Sequence, residues 1–490
     1  MADWFGFDAV AGISTIFTPS ACILSGRNDN KNALTAKLFC IGRYDWRGLT
    51  LSPASSARAE RRLFSGCELD IHSSNDNRLS SWRVHVKVIG QHMRTEMRRL
   101  AFGLFTVAAI AGAANQARAQ DTVKVGVIMP YSGQLADLGV QIDNGIKLYM
   151  KQHGDVVVGK KIEVIRRDDG GMAPDVSKRL AQELVVRDRI DIITGIMFTP
   201  SALAISDVSI SAKKFMVIMN ASTPSIVQKS PYSARVSLTL GQNTEVLGAW
   251  AYKNGVRRLF TMVADYSAGQ DAEEGFLQTY KAAGGTVVGS TRLPLVNPDF
   301  SSFVHRAKDA DPDGIFMFVP GGAQPPALAK ALSERGLDAT KIKLMGQGEI
   351  GDEVTLRNMG DAAIGIVTSS HYDELHATPT NQEFRKAYFA EYKRNPTFFS
   401  VAGYDGMHLI YEALKKAAGK TDGESLIEAA KGMSWESPRG PMTIDPETRD
   451  VIQTIYIRKV EKIGGELQNV EIEKYERVKD PVKARQMKKN

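Results

Sequence analysis

The sequence contains little cysteine: 490 residues include only Cys22, Cys40 and Cys67. Because none follows Cys67, the rest of the chain has neither a disulfide scaffold nor a cysteine-ligated zinc site. The three cysteines lack the spacing of a zinc site and have no paired histidines beside them. The long cysteine-free part must therefore be stabilised by burial of apolar side chains.

Motifs of catalysis and of metal binding are also missing. The sequence has no G-x-S-x-G and no H-E-x-x-H segment. Its formal net charge of +7 includes an arginine-rich leader and a basic carboxyl end, and no stripe of Lys and Arg alternates with aromatic residues. We therefore expect no catalytic residue, metal, cofactor or nucleic-acid partner, and interpret His305, His371, His376 and His408 as structural or surface residues.

An apolar run at residues 100–111 is too short to span a bilayer. It follows Arg98 and Arg99 and precedes the A-x-A sequence that ends at Ala119, the pattern of a cleavable signal peptide. We predict a signal peptide at residues 93–119 and a soluble periplasmic protein. Residues 1–92 should be absent from the working protein, since a signal peptide must emerge first. The alternative is a disordered or metal-binding amino-terminal domain.

From residue 122 onward, short β-rich runs alternate with helical patterns, which is typical of βαβ units on parallel sheets. The two series of runs predict an α/β fold with two doubly wound, Rossmann-like lobes, a ligand cleft between them and a hinge crossed more than once. Lobe 1 is predicted at residues 120–239 and 373–440, and lobe 2 at residues 240–372 and 441–478. A basic tail covers residues 479–490.

Two predicted helix starts carry hydroxyl groups directly after a strand. Thr199 is the expected N-cap before Pro200, and Asn220 and Ser222 precede Pro224. A helix start offers unpaired N–H groups and positive dipole character, so the two segments together form a candidate receptor for one carboxylate. The alternative is a pair of routine helix caps.

Residues 346–351 match G-x-G-x-x-G after a predicted strand, with Asp373 downstream. Only a short helical stretch follows, which favours a glycine-rich cleft loop presenting Gln347 and Glu349 over a dinucleotide site. The sequence Asp168-Asp169-Gly170-Gly171 lacks the further carboxylates of a calcium loop and is interpreted as a turn.

These segments together resemble the periplasmic ligand-binding proteins of branched-chain amino acid ABC importers, the leucine/isoleucine/valine-binding type. The resemblance covers residues 122 to about 458. Its pieces are VGVIMPYSG at 125–133, Asp168-Asp169 followed by Pro174, residues 195–201, residues 220–224, DYSAG at 265–269, Asp299-Phe300-Ser301, and Gly403-Tyr404-Asp405.

The resemblance implies that Thr199 and Ser222 hold a ligand carboxylate and that the Asn220 carbonyl and Glu349 hold its ammonium. Tyr266 would come from the other lobe. Leu138 stands where leucine binders of the family often carry a cleft tyrosine, and relatives of the family also bind aromatic carboxylates, amides and urea.

The implied function is a monomeric receptor that closes its lobes on a small carboxylate-bearing ligand, a branched-chain or related amino acid, and delivers it to an inner-membrane ABC permease. Aromatic acids similar to benzoate or hydroxycinnamate, or an amide, are the alternative ligands. Two further alternatives stay open: a ligand-sensing subunit with the same fold, and an enzyme that holds a cofactor at the loop containing Gly346.

Overall fold

The computed structural model describes residues 22–30, 33–40, 62–63, 67–72, 83–88, 121–295 and 299–488. The chain forms two compact units, Met1–Ala117 and Arg118–Asn490. The predicted signal peptide at residues 93–119 lies outside the described residues. The absence of residues 1–92 from the working protein stays a prediction.

The described residues of the first unit form five strands in two small antiparallel sheets. Strand β1 pairs with β2, with Cys22 opposite Cys40, and β4 lies between β3 and β5. Their bounds are β1 Cys22–Asn30, β2 Ala33–Cys40, β3 Arg62–Leu63, β4 Cys67–His72 and β5 Arg83–Val88.

Lobe 1 of the second unit is built on a six-stranded sheet. Its strands are β6 Thr122–Met129, β7 Val156–Val157, β8 Lys160–Asp168, β9 Ile192–Gly195, β10 Phe215–Ile218 and β11 Ser233–Arg235. The spatial order is β11-β10-β9-β6-β8-β7, and all neighbours are parallel except β7 and β8. Strands β9 and β10 are buried throughout, as expected for parallel strands covered on both faces.

Helices cover both faces of this sheet because successive strand residues point to opposite sides. Val125 and Val127 belong to the hydrophobic core cluster on one face of the sheet, and Ile128 belongs to the cluster on the other face. The first face is covered by α1 Ala136–His153, α10 Pro379–Tyr392, α11 Phe398–Lys416 and α12 Gly423–Ala430, and the second by α2 Pro174–Glu183, α3 Thr199–Ala212 and α4 Ser225–Lys229.

Lobe 2 is built on a nine-stranded sheet. Its spatial order is β13-β12-β14-β15-β16-β19-β18-β17, and β20 pairs with β19. Strands β12 to β16 are parallel, and β19 runs antiparallel to β16. The bounds are β12 Arg258–Ala264, β13 Thr286–Leu293, β14 Gly314–Phe318, β15 Lys343–Gln347, β16 Val367–Ser370, β17 Ser434–Ser437, β18 Gly440–Ile444, β19 Val451–Ile463 and β20 Glu466–Val478.

Two helix layers cover the lobe 2 sheet. On one face lie α5 Leu240–Lys253 and α6 Ser267–Ala282, and on the other α7 Ser301–Asp309, α8 Gln324–Glu334 and α9 Thr355–Met359. The last helix, α13 Pro481–Met487, begins where Asp480 accepts the N–H groups of Val482 and Lys483. Helix α13 therefore lies within residues 479–490, the predicted basic tail.

The chain passes between the two sheets three times: between β11 and α5, between β16 and α10, and between α12 and β17. The predicted fold class of two doubly wound lobes and a multiply crossed hinge is confirmed. The ends of several parallel strands therefore face one cleft, where ligands bind in open α/β sheets.

Candidate ligand-binding site

Thr199 lies at the end of lobe 1 where β9 leads into α3. The helix begins at Thr199 itself, and Phe198 is its N-cap, so the predicted N-cap position was wrong by one residue. Thr199 is buried, and its Oγ1 lies 3.1 Å from Oγ1 of Thr223. The strand-to-helix segment thus brings together two hydroxyl groups from neighbouring βα turns.

The turn before Thr199 contains an unusual backbone conformation. Ile196 has a φ of 63°, a left-handed conformation that is strained for a β-branched residue. Its N–H donates to the Ile128 carbonyl at 2.9 Å, and its carbonyl accepts the Ala221 N–H at 3.1 Å. These bonds fix the Thr199 turn against both neighbouring strand ends, as a pre-organised binding loop requires.

Asn220 and Ser222 follow β10 and are both buried. The Asn220 side chain donates Nδ2 to the Met197 carbonyl at 2.9 Å, while its Oδ1 has no hydrogen-bond partner within the described part of the chain. The Ser222 carbonyl accepts the N–H of Leu240, the first residue of α5, at 3.1 Å. The second predicted helix start therefore contacts the hinge as well as the Thr199 turn.

In lobe 2, Gln347 and Glu349 lie where β15 ends in a 3₁₀ turn, Gly348–Gly351. Gln347 Oε1 accepts the Glu349 N–H at 2.9 Å, and Glu349 Oε2 accepts the Gly321 N–H at 3.1 Å. Burial raises the pKa of the Glu349 carboxyl to about 7, against the lowering effect of that Gly321 bond.

The G-x-G-x-x-G segment lacks the helix that a dinucleotide site needs. Between Gly351 and β16, the described residues contain only the five-residue helix α9 and one further 3₁₀ turn. No long helix N-terminus is available there for a pyrophosphate. The geometry agrees with a glycine-rich cleft loop.

Tyr266 is the N-cap of α6, at the end of β12. Its ring lies 6.2 Å from that of Phe318, centroid to centroid. Burial and the neighbouring Glu349 carboxylate together raise the pKa of the Tyr266 hydroxyl well above its ordinary value. Tyr266 and Glu349 therefore belong to one group of buried polar side chains in lobe 2.

The two lobes contact each other at Leu138. A Cβ built on Gly321 of lobe 2 would lie 3.5 Å from Leu138 Cδ2 and 3.8 Å from Phe399 Cζ, both of lobe 1. The rings of Phe398 and Phe399 are 4.0 Å apart. Leu138 and the two phenylalanines thus form an apolar wall beside the glycine that binds Glu349.

A second contact between the lobes involves a residue that was not predicted. Asp271, in the second turn of α6, accepts a hydrogen bond from the Thr223 hydroxyl, which also lies beside Thr199. Burial raises the pKa of the Asp271 carboxyl. Thr223, which was not predicted as a site residue either, is the hydroxyl partner of Thr199. An acidic residue one turn into a helix that begins at a strand end is the signal that could have identified Asp271.

Three more buried polar residues were not predicted as part of the site. Asn243 and Ser369 are fully buried, and their side-chain polar atoms have no hydrogen-bond partner among the residues that the structure describes. The same holds for both ring nitrogens of His371. The His371 ring meets that of Phe398 edge-on at 5.3 Å. Burial, with Arg439 and Arg458 nearby, lowers the pKa of His371 well below its ordinary value, so the imidazole is neutral.

The part of the chain that the structure describes contains no group of three or more His, Cys, Asp or Glu residues placed to hold a metal ion. Within those same residues, no helix is both long enough and apolar enough to cross a membrane.

Residues 122–465 match the family described as periplasmic binding protein. The chain belongs to this family. The predicted resemblance is thus confirmed, and the protein is a solute-binding protein of the ABC-transporter type, a class whose members bind ligands rather than catalyse reactions.

Curated relatives include the Leu/Ile/Val-binding protein homolog 6 of Brucella melitensis, which is 40% identical over 393 residues, or 79% of this chain and 99% of the relative. A solute-binding protein from Rhodopseudomonas palustris BisB5, solved with 3,4-dihydroxybenzoic acid, is 52% identical with a TM-score of 0.72. It covers 74% of this chain and 99% of its own. A second R. palustris protein, solved with 4-hydroxybenzoate, is 41% identical with the same TM-score and coverage.

Proposed function

We propose that this periplasmic binding protein captures a hydroxylated aromatic carboxylate between its lobes. The observation that carries the proposal is that lobe 1 contains both a hydroxyl-rich strand-end site, Thr199 with Thr223, and the apolar wall of Leu138, Phe398 and Phe399. Relatives that are 52% and 41% identical were solved with hydroxybenzoates, which supports the same ligand class.

The carboxylate would bind at the start of α3. This helix has 14 residues, and the N–H groups of its first turn together with its dipole favour an anion. The hydroxyls of Thr199 and Ser222 would donate to the carboxylate, as charge-assisted hydrogen bonds. The aromatic ring would then lie against Leu138 and Phe399.

A branched-chain amino acid is the second candidate, favoured by one observation. Glu349 is a buried carboxyl whose pKa is raised to about 7 by burial and by the neighbouring Asp352. A ligand ammonium beside it would restore the ionised form, and the Asn220 carbonyl could accept a second ammonium hydrogen. This is the arrangement implied by the resemblance to leucine binders.

Thermal unfolding and titration calorimetry of the purified protein with 4-hydroxybenzoate, 3,4-dihydroxybenzoate, benzoate and leucine distinguish the two candidates. A ligand present at about a thousand times its Kd adds roughly 4 kcal/mol to stability, a shift of several degrees. We expect the shift with the hydroxybenzoates. A shift with leucine alone would contradict the aromatic ligand.

The carboxylate site is tested by Thr199→Ala combined with Ser222→Ala. Losing two charge-assisted hydrogen bonds should weaken binding by about 100-fold or more without unfolding the protein. Ser211→Ala, at the exposed end of the same helix, is the matched control. Unchanged affinity in the double variant would rule out this site.

The proposed cellular role is inferred from the family. We propose that the protein works in the periplasm after removal of a signal peptide at residues 93–119, acts as a monomer and delivers its ligand to an inner-membrane permease. Amino-terminal sequencing of the exported protein tests the first point, and a secreted product beginning at Met1 would contradict it. Stimulation of the permease's ATPase activity by the liganded protein in proteoliposomes tests the last, and a signalling subunit would give none.

A further inference from the structure

Three polar side chains in lobe 2 are buried, and several of their atoms have no hydrogen-bond partner among residues 121–295 and 299–488 or the other described residues. Asn243 and Ser369 have no exposed surface, and Gln347 is 1% exposed. The unpaired atoms are Asn243 Nδ2 and Oδ1, Gln347 Nε2, and Ser369 Oγ. Native proteins pair most of their buried polar groups, so a cluster of unpaired ones requires an explanation.

The three side chains lie in one layer. Gln347 and Ser369 are opposite each other on the parallel strands β15 and β16, so their side chains share a face of the sheet. Two residues earlier on the same strands, Met345 and Val367 belong to the core cluster that contains Leu240 and Leu247 of α5. This face of the sheet is therefore covered by α5.

Asn243 lies on the α5 face that meets this sheet. It is three residues after Leu240 and four before Leu247, and residues at these spacings share one face of a helix. The layer containing Asn243, Gln347 and Ser369 thus lies at the amino-terminal half of α5 and the carboxyl ends of β15 and β16. This is the end of lobe 2 that borders the cleft and the hinge.

The neighbouring Gln242 shows how the protein satisfies a structural amide here. Its Nε2 donates to the carbonyls of Val451 and Val478 at 2.7 and 2.8 Å, and its Oε1 accepts the Thr239 N–H at 3.0 Å. Gln347 differs because only its Oε1 is engaged, by the Glu349 N–H at 2.9 Å. That bond holds the amide in one orientation and leaves Nε2 unpaired.

We propose that Asn243, Gln347 and Ser369 form a subsite for a phenolic hydroxyl of the ligand. The inference rests on the proposed aromatic ligand and specifies its distal substituent. The unpaired atoms combine amide donors, an amide acceptor and a hydroxyl, and carry no charge. A hydroxyl both donates and accepts and so matches this set, whereas a carboxylate needs donors only and an ammonium needs acceptors only.

The subsite also gives the ligand a contact in each lobe. The carboxylate would bind at Thr199 in lobe 1, and the hydroxyl would bind at Gln347 in lobe 2. A ligand stabilises the closed state only through interactions that favour it over the open one, and a ligand bridging the lobes has them. Benzoate, which lacks the hydroxyl, would leave the lobe 2 polar groups unpaired.

The test compares Kd values for 4-hydroxybenzoate and benzoate by titration calorimetry. Sites that hydrogen-bond a hydroxyl discriminate strongly against analogues lacking it, so we expect the wild-type protein to prefer 4-hydroxybenzoate by about 100-fold or more. In Gln347→Met the preference should fall below about tenfold, because the benzoate affinity changes little while the hydroxyl loses its partner. Ser369→Ala, a smaller change, should reduce the preference in the same direction.

Gln382→Met, an exposed glutamine on α10, is the control and should keep the wild-type preference. Equal affinity of the wild-type protein for both acids would overturn the subsite while leaving an aromatic ligand in place, and would mean that this layer holds water only. An equal loss of affinity for both acids in Gln347→Met and Ser369→Ala would overturn it too. Binding of leucine with neither acid bound would instead show that the proposed function itself is wrong.

Discussion

Arg439 Nη2 lies 2.7 Å from Oδ2 of Asp405, and both side chains are buried at the hinge. Asp405 belongs to α11 of lobe 1, whereas Arg439 directly precedes β18. The same guanidinium donates Nη1 to the Ser237 carbonyl at 2.9 Å and to Gln453 Oε1 at 3.1 Å. One buried cation thus joins Asp405 of lobe 1 to the segment that crosses between β11 and α5 and to strand β19 of lobe 2.

Replacing Arg439 by Met should destabilise the protein by about 3–5 kcal/mol, because Asp405 would remain as a buried and uncompensated charge. Chemical denaturation of the wild-type protein and the variant measures the difference. Arg179→Met is the control, since the Arg179 pair with Glu183 is exposed and should contribute less than about 1 kcal/mol. A loss for Arg439→Met no larger than that of the control would contradict this role.

The affinity for the ligand should depend on pH through Glu349, and the sign of this dependence should distinguish an aromatic carboxylate from an amino acid. Burial raises the pKa of its carboxyl to about 7, so it is mostly neutral at pH 6 and mostly ionised at pH 8. A carboxylate ligand without an ammonium is repelled by the ionised form, and its affinity should fall as the pH rises through 7. An amino acid, whose ammonium pairs with that form, should show the opposite trend.

Titration calorimetry between pH 6 and pH 8 measures this trend. Glu349→Gln removes the titrating group while keeping an acceptor for the Gly321 N–H, and should flatten the dependence. We expect the affinity for 4-hydroxybenzoate to be lower at pH 8 than at pH 6 in the wild-type protein only. The same slope in wild type and variant would show that Glu349 does not face the ligand.

Much of the fold could be predicted from the sequence because the parallel strands are buried on both faces. Strand β10 is a continuous apolar run, and β9 begins with two isoleucines, which distinguishes both strands from the helices around them. Strand β20 was not predicted, since its residues are mostly polar and partly exposed at the edge of the sheet. Its position depends on pairing with β19, which local composition does not reveal.

The candidate site could be predicted only in part, for a similar reason. Thr199, Asn220, Gln347 and Glu349 follow strands directly, and strand ends meet at one edge of a parallel sheet. Asn243 and Ser369 lie inside elements, where a polar residue has the same local pattern whether its side chain faces solvent or a buried layer. Thr223 was not predicted as a site residue, because one residue of register in a turn decides which hydroxyl lies beside Thr199.

Helix α13 should stabilise the protein mainly through one buried residue. Lys483 is 2% exposed and forms an ion pair with Asp450, which is also paired with Arg235. Lys483→Met should therefore cost about 3 kcal/mol, because Arg235 alone would then face the two buried carboxyls Asp450 and Asp480. Arg485→Ala, which breaks a partly exposed pair with Glu245, should cost about 1 kcal/mol or less.

Thermal unfolding of both variants checks this contrast. Similar losses for Lys483→Met and Arg485→Ala would mean that the helix contributes through general packing rather than through the buried pair.

His371 should make the stability of the protein depend on pH below about 6.5. Burial and the nearby Arg439 and Arg458 lower its pKa in the folded state, whereas the unfolded chain titrates near the ordinary value of about 6.5. Below that pH the unfolded state binds a proton that the folded state does not, so stability falls as the pH falls, by up to about 1.4 kcal/mol per pH unit. The contribution is fully present above pH 6.5.

Denaturation of the wild-type protein and of His371→Leu at pH 7.5 and pH 5.5 isolates this effect. The buried acids Glu349 and Asp480, whose pKa values are raised to about 7 and about 6, favour the folded state at low pH and occur in both proteins. Their contributions cancel in the difference, so the variant should lose less stability than the wild type between the two conditions. If both proteins lose the same amount, the His371 imidazole is protonated in the folded state, and its buried nitrogens would need an acceptor that its present surroundings do not offer.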